Sequence, residues 1–271
     1  MLKNLIRPPF CYIGAKTKLL EWIYSFFPEH TTFVDVFGGT GVVTFNKIPS
    51  KNDVYNDINS NIVNFYRVLR NEYKRNQLQD LIALTPYSRE EFNSCKESSE
   101  DEVEEARRFY VRQNQSFSAT GRTWGFEKNK NCTVSRFYNT ALGEVLARMQ
   151  SITFENVSFE KCFELYDSET TLFYCDPPYV ETWGTYEYAY FFGEEEQKKL
   201  IDTVKNVQGF VIISGYQHDS FNELLEFGWT MKTKEFKCTM KNTKQSKDVN
   251  RDRTECLYLS PRVVEKNNFL F

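Results

Sequence analysis

Asp176 closes the apolar run Thr171-Leu172-Phe173-Tyr174-Cys175 and is followed by Pro177-Pro178-Tyr179. Such a run, ended by an acid and two prolines, predicts a buried strand that presents the acid at its carboxyl end. Open α/β sheets place their chemistry there. The residue before a proline is pushed to extended backbone, and proline offers a carbonyl without an N–H. The segment therefore presents one carboxylate and rigid carbonyl acceptors, with no competing donors from the prolines. Tyr179 adds a ring face. Together these suit an exocyclic amino group on a flat heterocycle: its two hydrogens go to Asp176 and the Pro177 carbonyl, and its ring stacks on Tyr179. Taken alone, the same four residues also fit a strand followed by a proline turn, because short motifs recur by chance.

The elements that would position this group follow from the rest of the chain. Thr32 to Phe37 predicts a strand, Gly38-Gly39-Thr40-Gly41 a tight turn, and Val42 to Phe45 a helix start. A glycine-rich turn of this kind admits a ligand close to the backbone. A second strand, Asp53 to Asn56, ends at Asp57, 22 residues after Asp35. An acid at that place holds ribose hydroxyls in nucleoside-binding sheets, and it also suits the start of a helix. Upstream, Pro9 to Lys16 reads as a loop with an aromatic, a glycine and a lysine, leading into a helix over 16–27 that stops at Pro28. Helical spacing recurs at 61–73, weakly to 96, at 102–113 and at 135–150, so residues 71–150 read as a mostly helical insert. Strands resume at 152–154, 209–214, 229–238 and 253–259, with helices at 194–205 and 219–227.

Composition narrows the class. With 271 residues, 41% hydrophobic and 26% charged, the chain is long enough to bury a sizeable core. No run approaches the roughly 18 apolar residues of a membrane span, and the first ten lack a signal-peptide core, so the cytoplasm is the expected compartment. Seven scattered cysteines without a Cys-x-x-Cys pair, and only two histidines, His30 and His218, leave little for a disulfide framework, a metal centre or a histidine triad. The net charge is −3, yet Met231 to Thr254 carries eight Lys or Arg against three acids, and Ala106 to Lys130 carries six against one. Such runs are commonly solvated faces; beside a nucleic-acid chemistry they become candidate phosphate contacts.

Four motifs then converge in order: Phe10-x-Tyr12-x-Gly14-x-Lys16, Asp35-Val36-Phe37-Gly38-Gly39-Thr40-Gly41, Tyr55-Asn56-Asp57-Ile58-Asn59 and Asp176-Pro177-Pro178-Tyr179. The chain resembles the Dam-like (D12 class) adenine-N6 DNA methyltransferases over residues 7–65 and 152–260. The resemblance implies an α/β fold, a Rossmann-like seven-stranded methyltransferase sheet. Residues 1–70 and 151–271 would form the catalytic domain, and 71–150 the inserted, mostly helical target-recognition subdomain. It implies S-adenosyl-L-methionine (AdoMet) as cofactor and double-stranded DNA as partner, with no metal, no membrane and a monomer expected. Tyr12, Gly14 and Lys16 would meet the cofactor, and Asp35, Phe37, Gly38, Gly39 and Gly41 would form its loop. Asp57 would take the ribose hydroxyls, with Asp176 and Phe191 further cofactor contacts. Asp176 and Pro177 would hold the adenine amino group, Pro178 would stiffen the turn, and Tyr179 would stack on the base.

For DNA, the expected contacts are Arg112, Asn114, Gln115, Arg122 and Trp124 in the insert and Lys244 and Lys247 in the late basic stretch. Two positions depart from the family pattern, which more often has tryptophan at Tyr12 and proline at Val36. The segments 115–118 and 122–125 differ from the recognition loop of the GATC-modifying members, so GATC is not implied. Methylation of cytosine N4, of adenine in RNA or of a protein glutamine remains open, as does a non-catalytic DNA-binding relative. Asp-Pro-Pro-Tyr is nearer the adenine enzymes than the Ser-Pro-Pro of cytosine-N4 enzymes or the Asn-Pro-Pro-Tyr of glutamine enzymes.

Overall fold

Strands buried on both faces need near-continuous apolar sequence, and the runs ending at Cys175 and Gly215 provide it. The computed structural model describes residues 5–12, 14–126, 137, 142–179, 192–237 and 252–268. Its strands are β1 (Thr32–Asp35), β2 (Asn52–Asn56), β3 (Ile152–Glu155), β4 (Thr171–Cys175), β5 (Phe210–Gly215), β6 (Thr230–Lys237) and β7 (Asp252–Leu259). They form one seven-stranded sheet in the order β3-β2-β1-β4-β5-β7-β6. Pairs β2–β3, β1–β4 and β4–β5 are parallel, whereas β5–β7 and β6–β7 are antiparallel. Strand order reverses between β1 and β4, which makes the sheet Rossmann-like and marks the switch point where such sheets bind ligands. Every residue of β4 and β5 is buried, as their sequence requires.

Two compact units make up the chain: Met1–Trp22 with Gly38–Ser158, and Ile23–Phe37 with Phe159–Phe271. In the first, α2 is Val42–Asn46, α3 Ser60–Arg70, α4 Glu72–Leu84, α5 Arg89–Ser94, α6 Glu102–Gln115 and α7 Leu142–Met149, after a short α1, Leu20–Tyr24, that leads into the second. Asn59, Asn71, Ser88 and Asp101 cap α3 to α6, each side chain accepting a backbone N–H of the first turn. Glu102, Glu104 and Glu105 add acids at the positive end of α6. The apolar face of α3 is buried, and Phe65 lies stacked on Tyr110 of α6 at 6.4 Å. A buried charge cluster closes this unit. Asp53 of β2 receives Lys47 Nζ at 2.7 Å and also Arg148 Nη2 of α7, while Arg148 donates to the Thr44 carbonyl at 3.1 Å.

In the second unit, α8 (Phe159–Tyr166), α9 (Glu194–Val204), α10 (Asn222–Glu226) and α11 (Pro261–Asn268) accompany β1 and β4 to β7. Sequence periodicity names no helix at 159–166 or 261–268. Both are eight residues long, short of the window in which a 3.6-residue period can be counted, and packing makes them: Phe163 sits 4.5 Å from the Phe173 ring, and Asn267 Nδ2 donates to the Phe26 carbonyl at 3.1 Å. The helix expected over 16–27 shortens to α1, flanked by single turns in which Leu19 N donates to Lys16 O and Phe27 N to Tyr24 O. Of the helix expected at 135–150, α7 is the described part, and most of the loop expected at 239–252 lies outside the described residues. No helix among the described residues is long and apolar enough to cross a membrane.

Candidate active site

In the first unit the glycine turn is braced from the end of β2. Gly38 N donates to Asn56 O at 2.7 Å, Gly39 N to Asp57 Oδ2 at 2.7 Å, and Tyr55 Oη to Gly39 O at 2.7 Å. A side chain does not fit at two of its positions. A Cβ on Gly38 would sit 2.2 Å from the Tyr55 ring, and Gly41, at φ +69°, would bring one to 2.8 Å from Phe45. The Tyr12 ring lies against Gly39, where an added Cβ would meet it at 3.6 Å. Lys16 is buried, and its ammonium donates to the Gly14 carbonyl at 3.0 Å. Asp57 also accepts Asn59 N at 2.8 Å. Burial pushes its carboxyl up to about 6, against the opposing pull of the backbone bonds from Asn59 and Gly39.

In the second unit β1 and β4 run in parallel register, Asp35 opposite Tyr174, so Asp35 ends one strand and Asp176 follows the end of the next. Asp35 is buried and Asp176 half-buried. Phe37 lies between two rings, Phe159 at 5.8 Å and Phe192 at 5.8 Å edge-on. Sequence reading named neither partner, and Phe191, the neighbour it did name, lies outside the described residues. Tyr179 is half-buried; its hydroxyl donates to Glu255 Oε1 and lies 3.4 Å from Ser214 Oγ. Tyr216 meets the Tyr179 ring edge-on at 4.6 Å. A shallow recess is lined by Pro177, Pro178, Tyr179, Gln197, Tyr216 and His218. Burial drives the Cys175 thiol well up, so it stays protonated and is no nucleophile.

The proposed DNA contacts in the insert fall into two groups. Arg112 donates to Glu105 Oε1 at 2.8 Å and to the Cys95 carbonyl at 2.5 Å, and Asn114 bonds Cys11 N at 3.2 Å and Tyr110 O at 2.9 Å. Gln115 Nε2 donates to the Pro86 carbonyl at 3.2 Å. All three thus bond within their own unit. Half-buried Arg122 and Trp124 lie on the segment that returns from Ser116, which bridges to Trp124 in antiparallel fashion. Trp124 is stacked on Phe126 at 5.5 Å, with Arg89 4.9 Å over the indole. Lys244 and Lys247 lie outside the described residues.

A Rossmann-like sheet of this strand order, with a glycine turn after β1 and an Asp-Pro-Pro-Tyr after β4, is a methyltransferase sheet. Residues 12–244 match the model of the D12 class N6 adenine-specific DNA methyltransferases, and the chain belongs to that family. It is 24% identical over 232 residues to the type II methyltransferase M.CviBI of Paramecium bursaria Chlorella virus NC1A, covering 82% of this chain and 87% of that protein. It is 28% identical over 249 residues to the type II methyltransferase M1.LlaDCHI of Lactococcus lactis subsp. cremoris, covering 81% and 84%. With the type II methyltransferase M.FokI of Planomicrobium okeanokoites it shares 26% identity over 202 residues, which covers 68% of this chain and only 30% of that larger protein.

Proposed function

We propose that this chain transfers a methyl group from AdoMet to the N6 amino group of an adenine flipped out of double-stranded DNA. The observation that carries the reading is Asp176-Pro177-Pro178-Tyr179 at the carboxyl end of the fully buried β4, on a chain of the D12 family. The residues of the first unit suit the cofactor: bare backbone at Gly38 and Gly41 where a Cβ would clash, an aromatic ring at Tyr12, and a buried carboxylate at Asp57 for ribose hydroxyls. Lys16, Gly14, Asp35 and Phe37 complete the proposed set. When bound, AdoMet supplies a methyl group activated by its sulfonium.

The amino lone pair of adenine is delocalised into the ring and is a poor nucleophile. Asp176 and the Pro177 carbonyl draw its two hydrogens toward a tetrahedral arrangement and stabilise the positive charge that develops on nitrogen. Tyr179 offers stacking in place of what the base loses on leaving the duplex, a cost of a few kcal/mol. In the insert 71–150, Arg122 and Trp124 are the proposed contacts to DNA, while Arg112 ties α6 to the end of α5 and Asn114 ties it to the backbone at Cys11. Methyl transfer from tritiated AdoMet to unmethylated duplex DNA, with the modified base identified by mass spectrometry, tests the reading. Labelled N6-methyladenine is expected; label in cytosine, in RNA alone, or nowhere overturns it.

Two further outcomes concern the cofactor half. Gly38→Ala forces a Cβ onto the Tyr55 ring, which Gly39 O holds in place, so AdoMet affinity in a calorimetric titration is expected to fall tenfold or more. Asp57 gives a pH signature. Its folded pKa of about 6 lies above the ordinary 3.8, so the proton favours the folded chain below 3.8, and this contribution is lost as pH rises through 6. The charged carboxylate that would accept ribose hydroxyls prevails only above 6. AdoMet affinity is therefore expected to weaken as pH falls from 7 to 5, and Asp57→Asn to bind weakly with no such slope; a wild-type profile as flat as the variant's removes Asp57 from the ribose site.

A further inference from the structure

Glu255 lies on β7, 76 residues from the Tyr179 it bonds and outside the span 12–244 that matches the family. It is a carboxylate only 2% exposed. Burying a carboxylate is costly unless it is hydrogen-bonded, and here Oε1 receives two hydroxyls. Oε1 accepts the Tyr179 hydroxyl and, at 3.0 Å, the Ser214 hydroxyl of β5. Strand pairing fixes the placement. Glu255 precedes Cys256, which lies opposite Gly215 in the antiparallel β5–β7 pair, so the end of β5 and the carboxylate meet beside the turn after β4.

Tyr179 stands on that turn, and a ring there is free to change its plane unless its far end is tied. The ring is held at its hydroxyl by Glu255 and Ser214 and along its edge by Tyr216, 4.6 Å away at 73°. Burial drives the phenol pKa well up, and the charges of Asp176 and Glu255 act in the same sense, so the hydroxyl stays protonated and donates. An O–H given to an internal carboxylate is not spent on substrate. What remains for a base is the ring face.

We propose that Glu255 is a positioning residue for methyl transfer, which ties the Tyr179 hydroxyl and so fixes the plane on which the target base stacks. This rests on the reading of Tyr179 as the stacking partner of a flipped adenine. The part of Glu255 is indirect: it touches no reacting atom, and its effect passes wholly through Tyr179. The effect falls on the rate of methyl transfer from bound DNA, because phosphate contacts made elsewhere carry most of the affinity for the duplex.

The experiment measures single-turnover methylation of unmethylated duplex DNA, and DNA affinity, for the full chain and for E255Q, E255D, Y179F and E255D/Y179F, each checked by thermal melting. E255D keeps the charge but withdraws it by one carbon. Loss of one hydrogen bond to a charged group corresponds to about tenfold, so E255D and Y179F are each expected to be slowed about tenfold with DNA affinity within about twofold. E255Q keeps an acceptor oxygen and is expected to recover most of the rate. The double variant is expected to be no slower than Y179F, since the bond is already gone. Losses that multiply in the double variant, or a folded E255Q as slow as E255D, overturn the proposal while the wild type still methylates adenine. A wild type that binds AdoMet yet leaves DNA unmodified overturns the functional reading instead, and the role of Glu255 with it. Should E255D fail to fold, E255Q keeps the test decisive, because loss of rate in that folded variant is enough to sink the proposal.

Discussion

Replacing Asp176 with alanine is expected to slow methyl transfer at least a hundredfold. The expectation rests on what the carboxylate faces at each stage. In the ground state the adenine amino group is flat and uncharged and gains little from an anion. As the methyl group arrives the nitrogen becomes tetrahedral and positive, and an acceptor fixed at the end of a buried strand needs no reorganisation to meet that charge. Removing one such preorganised group in other enzymes costs about 10² to 10³ in rate. The backbone of β4 and the prolines that follow do not depend on the side chain, so the fold, and the Pro177 carbonyl, are expected to survive. Asp176→Asn keeps one acceptor oxygen and loses the charge, and should fall between alanine and wild type. Single-turnover rates with tritiated AdoMet at saturating DNA decide the matter. A rate for Asp176→Ala within tenfold of the wild type would falsify the assignment of Asp176 as the charge-stabilising acceptor.

Asp53→Ala is expected to cost about 3–5 kcal/mol of stability, a fall of roughly 10 °C in melting temperature for a chain of this size. Asp53 is in direct contact with two buried cations, Lys47 and Arg148. Burial already depresses the Lys47 pKa, and the Asp53 carboxylate is what opposes that shift. Without it, two positive groups face each other in the interior without their shared counter-ion. Asp53→Asn retains an acceptor for one of them and should lose less. Calorimetry or thermal melting followed by circular dichroism measures both. An alanine variant that melts within about 2 °C of the wild type would show that the cluster contributes little. The cluster joins α2, β2 and α7 in the unit that holds the glycine turn, so weak AdoMet binding by a partly unfolded variant is to be read only beside its melting curve.

Much of the fold was legible in sequence because its signals are local. The run 171–175 is apolar throughout, which a strand buried on both faces demands, and Asp176-Pro177 ends it for reasons of backbone geometry alone. All seven strands stand within a few residues of where alternation or apolar runs place them. The glycines at 38 and 41 were legible as a close-approach turn, and the structure gives each its reason in a ring that leaves no room for a Cβ. The caps of α3 to α6, Asn59, Asn71, Ser88 and Asp101, are also local to the helices they start, although periodicity alone points to none of them. The helices α8 and α11 were not legible, since eight residues without a longer periodic segment around them carry too few turns to show a period.

Local patterns along the chain are enough to set which segments become strands, where the chain turns, and that an acid with two prolines and a tyrosine follows a buried strand. Which side chains meet is set by the packed fold. Arg148 reaches Asp53 from 95 residues away, Glu255 reaches Tyr179 from 76, and Phe37 finds Phe159 and Phe192. It also decided that Arg112 and Asn114 spend their polar groups on neighbouring helices and backbone. The physical reason is common to all four. Backbone preference acts over a few neighbouring residues, whereas the partner of a buried carboxylate, a guanidinium or a ring is set by strand order and helix packing, which bring together residues that no local pattern relates.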